Sequence, residues 1–362
     1  MLRGEPLTKR PSKETLNHPG ILRMASGRDP YLDTQRAFVE SYAALGIDIV
    51  NRVPDSNAPT PTPPGEKRRH NERYDKTHLG VYDTYFRHTY PFADSEEFFR
   101  TGMFQPDYFR LITPVPHRLD ADTIRSKDCI LGDVGIYYYQ LYTTLFMWAV
   151  EELGWEVFLT AAAEDPDRFD ALFWQPAQRE SERLLRILAE VDTPFVFVHD
   201  DLADARGPVF RPTFYERYIF PRYLTLWEPL HRAGKIVIFV ADGNMSVLLG
   251  DIAATGVDGV MIETPATPLE TLLDVFSGRI VIGGIDTKEL TFGTEQSIRA
   301  HVARVCETAA GCPGFALCAS GGLHGNIPIE NLAAYFDARV PFGYTRPDWR
   351  AADRDVHGKA GD

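Results

Sequence analysis

Short apolar runs of strand length recur along this chain: "IDIVNRV" (47–53), "CILGDVG" (129–135), "PFVFVHD" (194–200), "KIVIFVAD" (235–242), "DGVMIE" (258–263), "RIVIGGID" (279–286) and "GFALCAS" (314–320). Helical patterns separate most of them. In "DRFDALFWQPAQRESERLLRILAEV", Phe169, Leu172 and Phe173, then Leu184, Leu185 and Leu188, recur at helical spacing. "MSVLLGDIAATG" reads as a short helix closed by Gly256. Strands buried on both faces read as continuous apolar runs, and alternation with helices implies a parallel sheet. With an eighth strand placed near "ILRMA" (21–25), the pattern predicts an α/β protein built as a single (β/α)8 TIM barrel. No GxGxxG follows an early strand, which removes the main support for a dinucleotide-binding sheet.

The pattern fades at both ends, so residues 1–20 and 343–362 are expected to be loosely ordered around a barrel spanning 21–342. Between residues 54 and 76 a proline-rich stretch followed by basic residues reads as a long loop, expected to overhang one end of the barrel. Just after it, "GVYDTYFRHTYPF" alternates aromatic and polar residues and predicts a β-hairpin covering that end.

Composition narrows the class. A formal charge of −13 argues against nucleic-acid binding, whose footprint is a basic face. Four cysteines without a CxxC pair do not make a disulfide framework, and a reducing, cytoplasmic setting is expected. No run of eighteen apolar residues appears, so no membrane span is predicted.

In a barrel of this kind chemistry gathers where the strands end, because the following loops surround one mouth. Here the apolar runs end in His199, Asp200 and Asp201, in Asp242, Gly243 and Asn244, in Glu263, in Asp286, and in Ser320 followed by His324. Each has a structural alternative. Asp242 or Asn244 can cap the helix starting near Met245, Asp286 can cap the helix after it, and Asp200 and Asp201 can shape a turn. Their convergence points to catalysis by Asp242, His324, His199, Asp201 and Glu263, with Asn244 and Tyr138 as substrate contacts. A metal would draw on His199, Asp242, Glu263 and His324.

The order of "HDDLADARGPVFRPTFYERYIFPRY", "GKIVIFVADGN", "GVDGVMIE", "GRIVIGGIDTKELTFGTEQSI" and "ASGGLHGNIPIENL" resembles the uroporphyrinogen decarboxylase superfamily over roughly residues 20 to 340. That superfamily includes zinc- and corrinoid-dependent methyltransferases. The resemblance implies a single TIM barrel. On the decarboxylase side it implies no cofactor, arginines that grip substrate carboxylates (nearest here Arg23 and Arg28) and a pyrrole-binding aspartate (nearest Asp48). The RQAGRY motif is replaced by an "SGRDPY" form. On the methyltransferase side the resemblance implies zinc held by a His-x-Cys pair and a further cysteine. Val240 and Asp242 occupy the pair's positions, so a thiol-activating zinc site is not expected. The expected activity is a cobalamin-linked methyl transfer (demethylation) from a small methylated or methoxylated molecule to a corrinoid on a partner protein. The alternatives are a decarboxylase-like lyase and a non-catalytic binding barrel.

Overall fold

The computed structural model describes residues 9–54, 74–78, 80–81, 83–87, 90–101 and 121–350. Its centre is a ring of parallel strands: β1 (Ile49–Val50), β2 (Ile136–Tyr137), β3 (Tyr139–Leu141), β4 (Phe195–His199), β5 (Ile236–Ala241), β6 (Gly259–Ile262), β7 (Ile280–Ile285) and β8 (Phe315–Ala319). From β3 to β8 they form one six-stranded sheet in chain order. β1 pairs with β2, and β2 and β3 are one stave interrupted at Tyr138. The gap between β8 and β1 is filled by Ser12 and Lys13, which bridge in parallel to Leu317 on one side and Ile49 on the other. Eight staves therefore follow one another around the ring, as the apolar rhythm predicts.

Two strand assignments move. The eighth stave is not "ILRMA" but the segment at Ser12–Lys13, inside the stretch expected to be loose. "ILRMA" belongs to helix Pro19–Ser26, where Ile21, Leu22 and Ala25 bury one helical face and His18 Nδ1 accepts the Ile21 N–H at 3.1 Å. The Ser12–Lys13 segment is held because Glu14 turns outward and accepts from Tyr335 Oη and the Ala319 N–H, with the Arg339 guanidinium 3.9 Å away. Likewise "CILGDVG" ends the helix Ala121–Leu131, with Ile124 and Leu131 buried and Cys129 exposed, and the strand starts at Ile136. Both errors have one cause. A run of four or five apolar residues does not distinguish a strand from a buried helix face.

Alternation along the strands divides the core in two. Phe195, Phe197, Ile238, Val240, Ile282, Ala316, Cys318, Ile49 and Tyr138 pack inside the ring. Val196, Val198, Val237, Phe239, Val260, Val281 and Leu317 face the surrounding helices. The long helical pattern after residue 166 is one helical run containing a π-turn at Asp170–Trp174. Pro176, which has no N–H to give to the preceding turn, explains the local change of bonding.

A hairpin does form, from antiparallel strands Tyr74–His78 and Asp83–Arg87, but only its second strand lies in the stretch expected to supply both; the first overlaps the end of the expected loop. Its connection packs on the rim: Val81 N–H donates to Asn17 O at 2.9 Å, and a Cβ on Gly80 would lie 1.7 Å from that carbonyl, so only glycine allows the approach. The loop expected to overhang the mouth lies largely outside the described residues. No helix among the described residues is long and apolar enough to cross a membrane.

Candidate active site

Two more residues along each inward row bring the polar groups to the mouth. The row Phe195, Phe197 continues to His199; Ile238, Val240 to Asp242; Met261 to Glu263; Ala316, Cys318 to Ser320; and Ile136, Tyr138 to Gln140. His199 Nε2 lies 2.8 Å from Asp201 Oδ1, and its Nδ1 lies 3.0 Å from the Gln140 side-chain nitrogen. Asp201 Oδ1 also accepts the Asp242 N–H at 2.7 Å. Glu263 Oε2 accepts the Gly243 N–H at 3.0 Å, which ties the loop after β5 to the end of β6. Gly243 takes φ 84, and a Cβ there would meet Ala203 O at 2.5 Å. Tyr142 stands at the rim with its ring edge-on to His199, centroids 4.7 Å apart.

The charges are coupled. Desolvation, the like charge of Asp201 and, less, Glu263 push the Asp242 carboxyl up to about 6, against the pull of His199 and Lys13. Burial works against the His199 imidazolium, but the hydrogen bond and charge of Asp201 outweigh it and hold the ring above its ordinary value. Burial would raise Asp201, yet the same bond, the His199 charge and the Asp242 N–H bring it below the usual carboxylate range. One consequence is measurable. Asp201→Asn removes the main support of the imidazolium, so the His199 pKa should fall below that of the wild type in an NMR titration. An unchanged His199 titration would contradict the pairing.

Of the residues singled out from the sequence, the fold brings together His199, Asp201 and Asp242, whose donor atoms lie within 4.8 Å of one another and can hold a divalent cation. Glu263 joins them through Gly243 N–H, outside that group. His324 stays on the loop after β8, its Nδ1 accepting the Asn326 N–H at 3.3 Å and its pKa lowered by burial. Asn244 closes its own turn, its Oδ1 accepting from Ser246 N–H and Oγ–H. Tyr138 is sealed inside the barrel with its ring stacked on Phe197. Asp48 sits at the opposite end, before β1, where it accepts the Ser12 N–H and pairs with Lys9 at 2.6 Å. Arg28 pairs with Asp33 and Glu40, both at 2.8 Å, and Arg23 with Asp29. Both arginines are engaged by acids at the corner between helices Pro19–Ser26 and Thr34–Leu45.

The capping alternatives also resolve. Asp286 is a cap, accepting the Lys288 N–H. Asp200 caps from afar: it is fully buried and accepts from the N–H groups of Leu145, Phe146 and Met147 and from Tyr223 Oη. Asp242 caps no helix, because the next one starts at Leu249 with no side-chain cap. Reading the sequence missed Gln140, Tyr142 and Lys13. Alternation through "IYYYQLY" would have reached the first two had the strand been started at Ile136.

The thiolate zinc site that the sequence resemblance implies does not fit these residues. The gathered donors are nitrogen and oxygen. Cys318, the thiol inside the ring, lies one inward step below Ser320, and burial pushes its pKa up to about 12.

A closed ring of parallel strands with a cluster of ionisable groups at their C-terminal ends defines an α/β barrel of the TIM type with a polar mouth. The chain belongs to the uroporphyrinogen decarboxylase (URO-D) family, whose model matches residues 144–340. Its fold is similar to that of a methyltransferase from Methanosarcina mazei, with a TM-score of 0.64 at 16% sequence identity, covering 94% of this chain and 96% of that one. A D-psicose 3-epimerase from Clostridium cellulolyticum H10 overlaps less, with a TM-score of 0.38 at 11% identity over 62% of this chain and 83% of its own. No curated protein sequence matches the chain.

Proposed function

We propose that this protein is a methyltransferase that demethylates a small methoxylated or methylated molecule, passing the methyl group to a corrinoid carried by a partner protein. The observation that carries the reading is Asp242. Its carboxyl opens to the mouth, has no capping duty, and its pKa of about 6 leaves part of it protonated near neutrality. Breaking a methyl–oxygen bond leaves the electron pair on oxygen, and Asp242 supplies the proton that this oxygen needs. Asp201 holds His199 in place and Gln140 fixes the other ring nitrogen, so the imidazole presents one constant face to the substrate. The corrinoid, when bound, supplies the methyl acceptor. The engagement of Arg23 and Arg28 by their own carboxylates disfavours the alternative, decarboxylation of a tetrapyrrole polycarboxylate.

The test uses free cob(I)alamin as acceptor. Incubation with a panel of methoxylated compounds should convert its spectrum to that of methylcobalamin for at least one member, while uroporphyrinogen should release no carbon dioxide. Carbon dioxide from uroporphyrinogen, with no methylation of cobalamin by any member, would overturn the reading.

A further inference from the structure

Lys13 is a cation in an unusual place. It lies on the stave between β8 and β1, is 3% exposed, and points inward, with its Nζ 6.0 Å from the Tyr138 ring centroid. Its neighbour Glu14 faces the other way, into the outer helices. The Lys13 ammonium bonds Thr15 Oγ1 at 2.8 Å, and Thr15 is the next inward position on the same stave, nearer the mouth. Thr15 in turn reaches Asn51 at 3.4 Å, and both are half-buried. Among the described residues no carboxylate lies within 4.0 Å of Nζ. The charge is nevertheless felt at the mouth, since it stabilises the Asp242 carboxylate from across the ring.

Burial works against the ammonium, but Tyr138, Cys318 and the more distant Glu14 outweigh it; no carboxylate touches Nζ, which leaves that contact for a ligand. The outer, helix-facing side of the same segment is held by Glu14, so Lys13 is not needed to dock the strand. We propose that Lys13 is a substrate-binding residue that takes the carboxylate of the substrate, with Thr15 and Asn51 as flanking hydrogen-bonding groups. The substrate class is then a small methylated monocarboxylate: its acid end goes down to Lys13 and its methyl-bearing end lies beside His199, Asp201 and Asp242. This deepens the proposed methyl transfer and rests on it for the identity of the reacting end.

Equilibrium binding to the full chain tests the inference without any corrinoid. The probes are methoxyacetate, 3-methoxypropanoate and 4-methoxybenzoate, each against its own uncharged amide, with inorganic phosphate as a separate anion. At least one acid should bind about thirtyfold or more tightly than its amide, because a desolvated ion pair is lost in the amide. Lys13→Met should erase that preference, and Lys13→Arg, which keeps the charge, should retain part of it. Lys13→Met should stay folded, since Glu14 and not Lys13 docks this segment to the outer helices. The proposal fails if no acid is preferred over its amide, if the preference survives in Lys13→Met, or if phosphate binds more tightly than every acid. Lys13-dependent binding of an acid without methyl transfer to cob(I)alamin would sink the proposed activity and leave this site standing.

Discussion

Asp242→Asn should lose about a hundred- to ten-thousandfold in methyl-transfer rate, the usual worth of a positioned acid, and should fold as well as the wild type. The two halves of this expectation come from separate observations. The rate loss follows from a carboxyl at about pH 6 at the mouth. The retained fold follows from the absence of any helix resting on its side chain. The pH dependence adds a sign. A carboxyl whose folded pKa stands above its unfolded value of 3.8 binds protons more tightly in the native state. Its ionised form opposes folding, and that penalty is relieved as pH falls from above 6 towards 4. The asparagine variant should therefore be no less stable than the wild type at pH 7, and the gap should close on acidification. If Asp242 acts as the acid, the wild-type rate should fall as pH rises through about 6, and the variant should lack that limb. Wild-type turnover by the variant would make Asp242 a bystander.

Asp200→Ala, one residue before the site's own Asp201, should show the opposite behaviour: a large loss of stability with no direct loss of chemistry. Its carboxylate receives the first N–H groups of helix Phe146–Glu164 at 2.8, 3.0 and 2.8 Å, and Tyr223 Oη at 2.7 Å. Burial raises the acid to about 6, while the four bonds hold it down. Each buried donor left without a partner costs about 1–3 kcal/mol, and water entering the gap recovers part of it, so a net loss of about 3–5 kcal/mol is expected by denaturant unfolding. A change below about 1 kcal/mol, the ordinary worth of a surface cap, would mean the helix start is satisfied by other groups.

Neighbouring aspartates with such different roles show where sequence stops being informative. In "FVHDDL" nothing separates Asp200 from Asp201. Strand alternation separates them: once Phe195 and Phe197 face inward, Asp200 must face the helices, while His199 ends the inward row and Asp201 turns back to it. The same reasoning explains Arg28 and Asp48. Both suit a ligand by residue type, yet one is neutralised by acids of its own helical corner and the other lies at the wrong end of its strand. Those partners are distant in the chain or depend on side-chain direction, so no motif reports them.

What the sequence determined by itself was the architecture and the end of it that carries the chemistry. Parallel strands buried on both faces must be apolar along their whole length, and polar residues can resume only where they end, so "FVFVHDD", "IVIFVAD" and "GVMIE" announce both strand and mouth. What the tertiary structure alone decided was closure and selection. The ring is completed by a segment with no strand signature, Ser12–Lys13, because Glu14 finds Arg339 and Tyr335 more than three hundred residues away. From many ionisable residues it gathers His199, Asp201 and Asp242, and leaves the Lys13 ammonium buried inside the ring. Such pairings are set by the distances that folding creates between remote parts of the chain, and a linear pattern has no means of recording them.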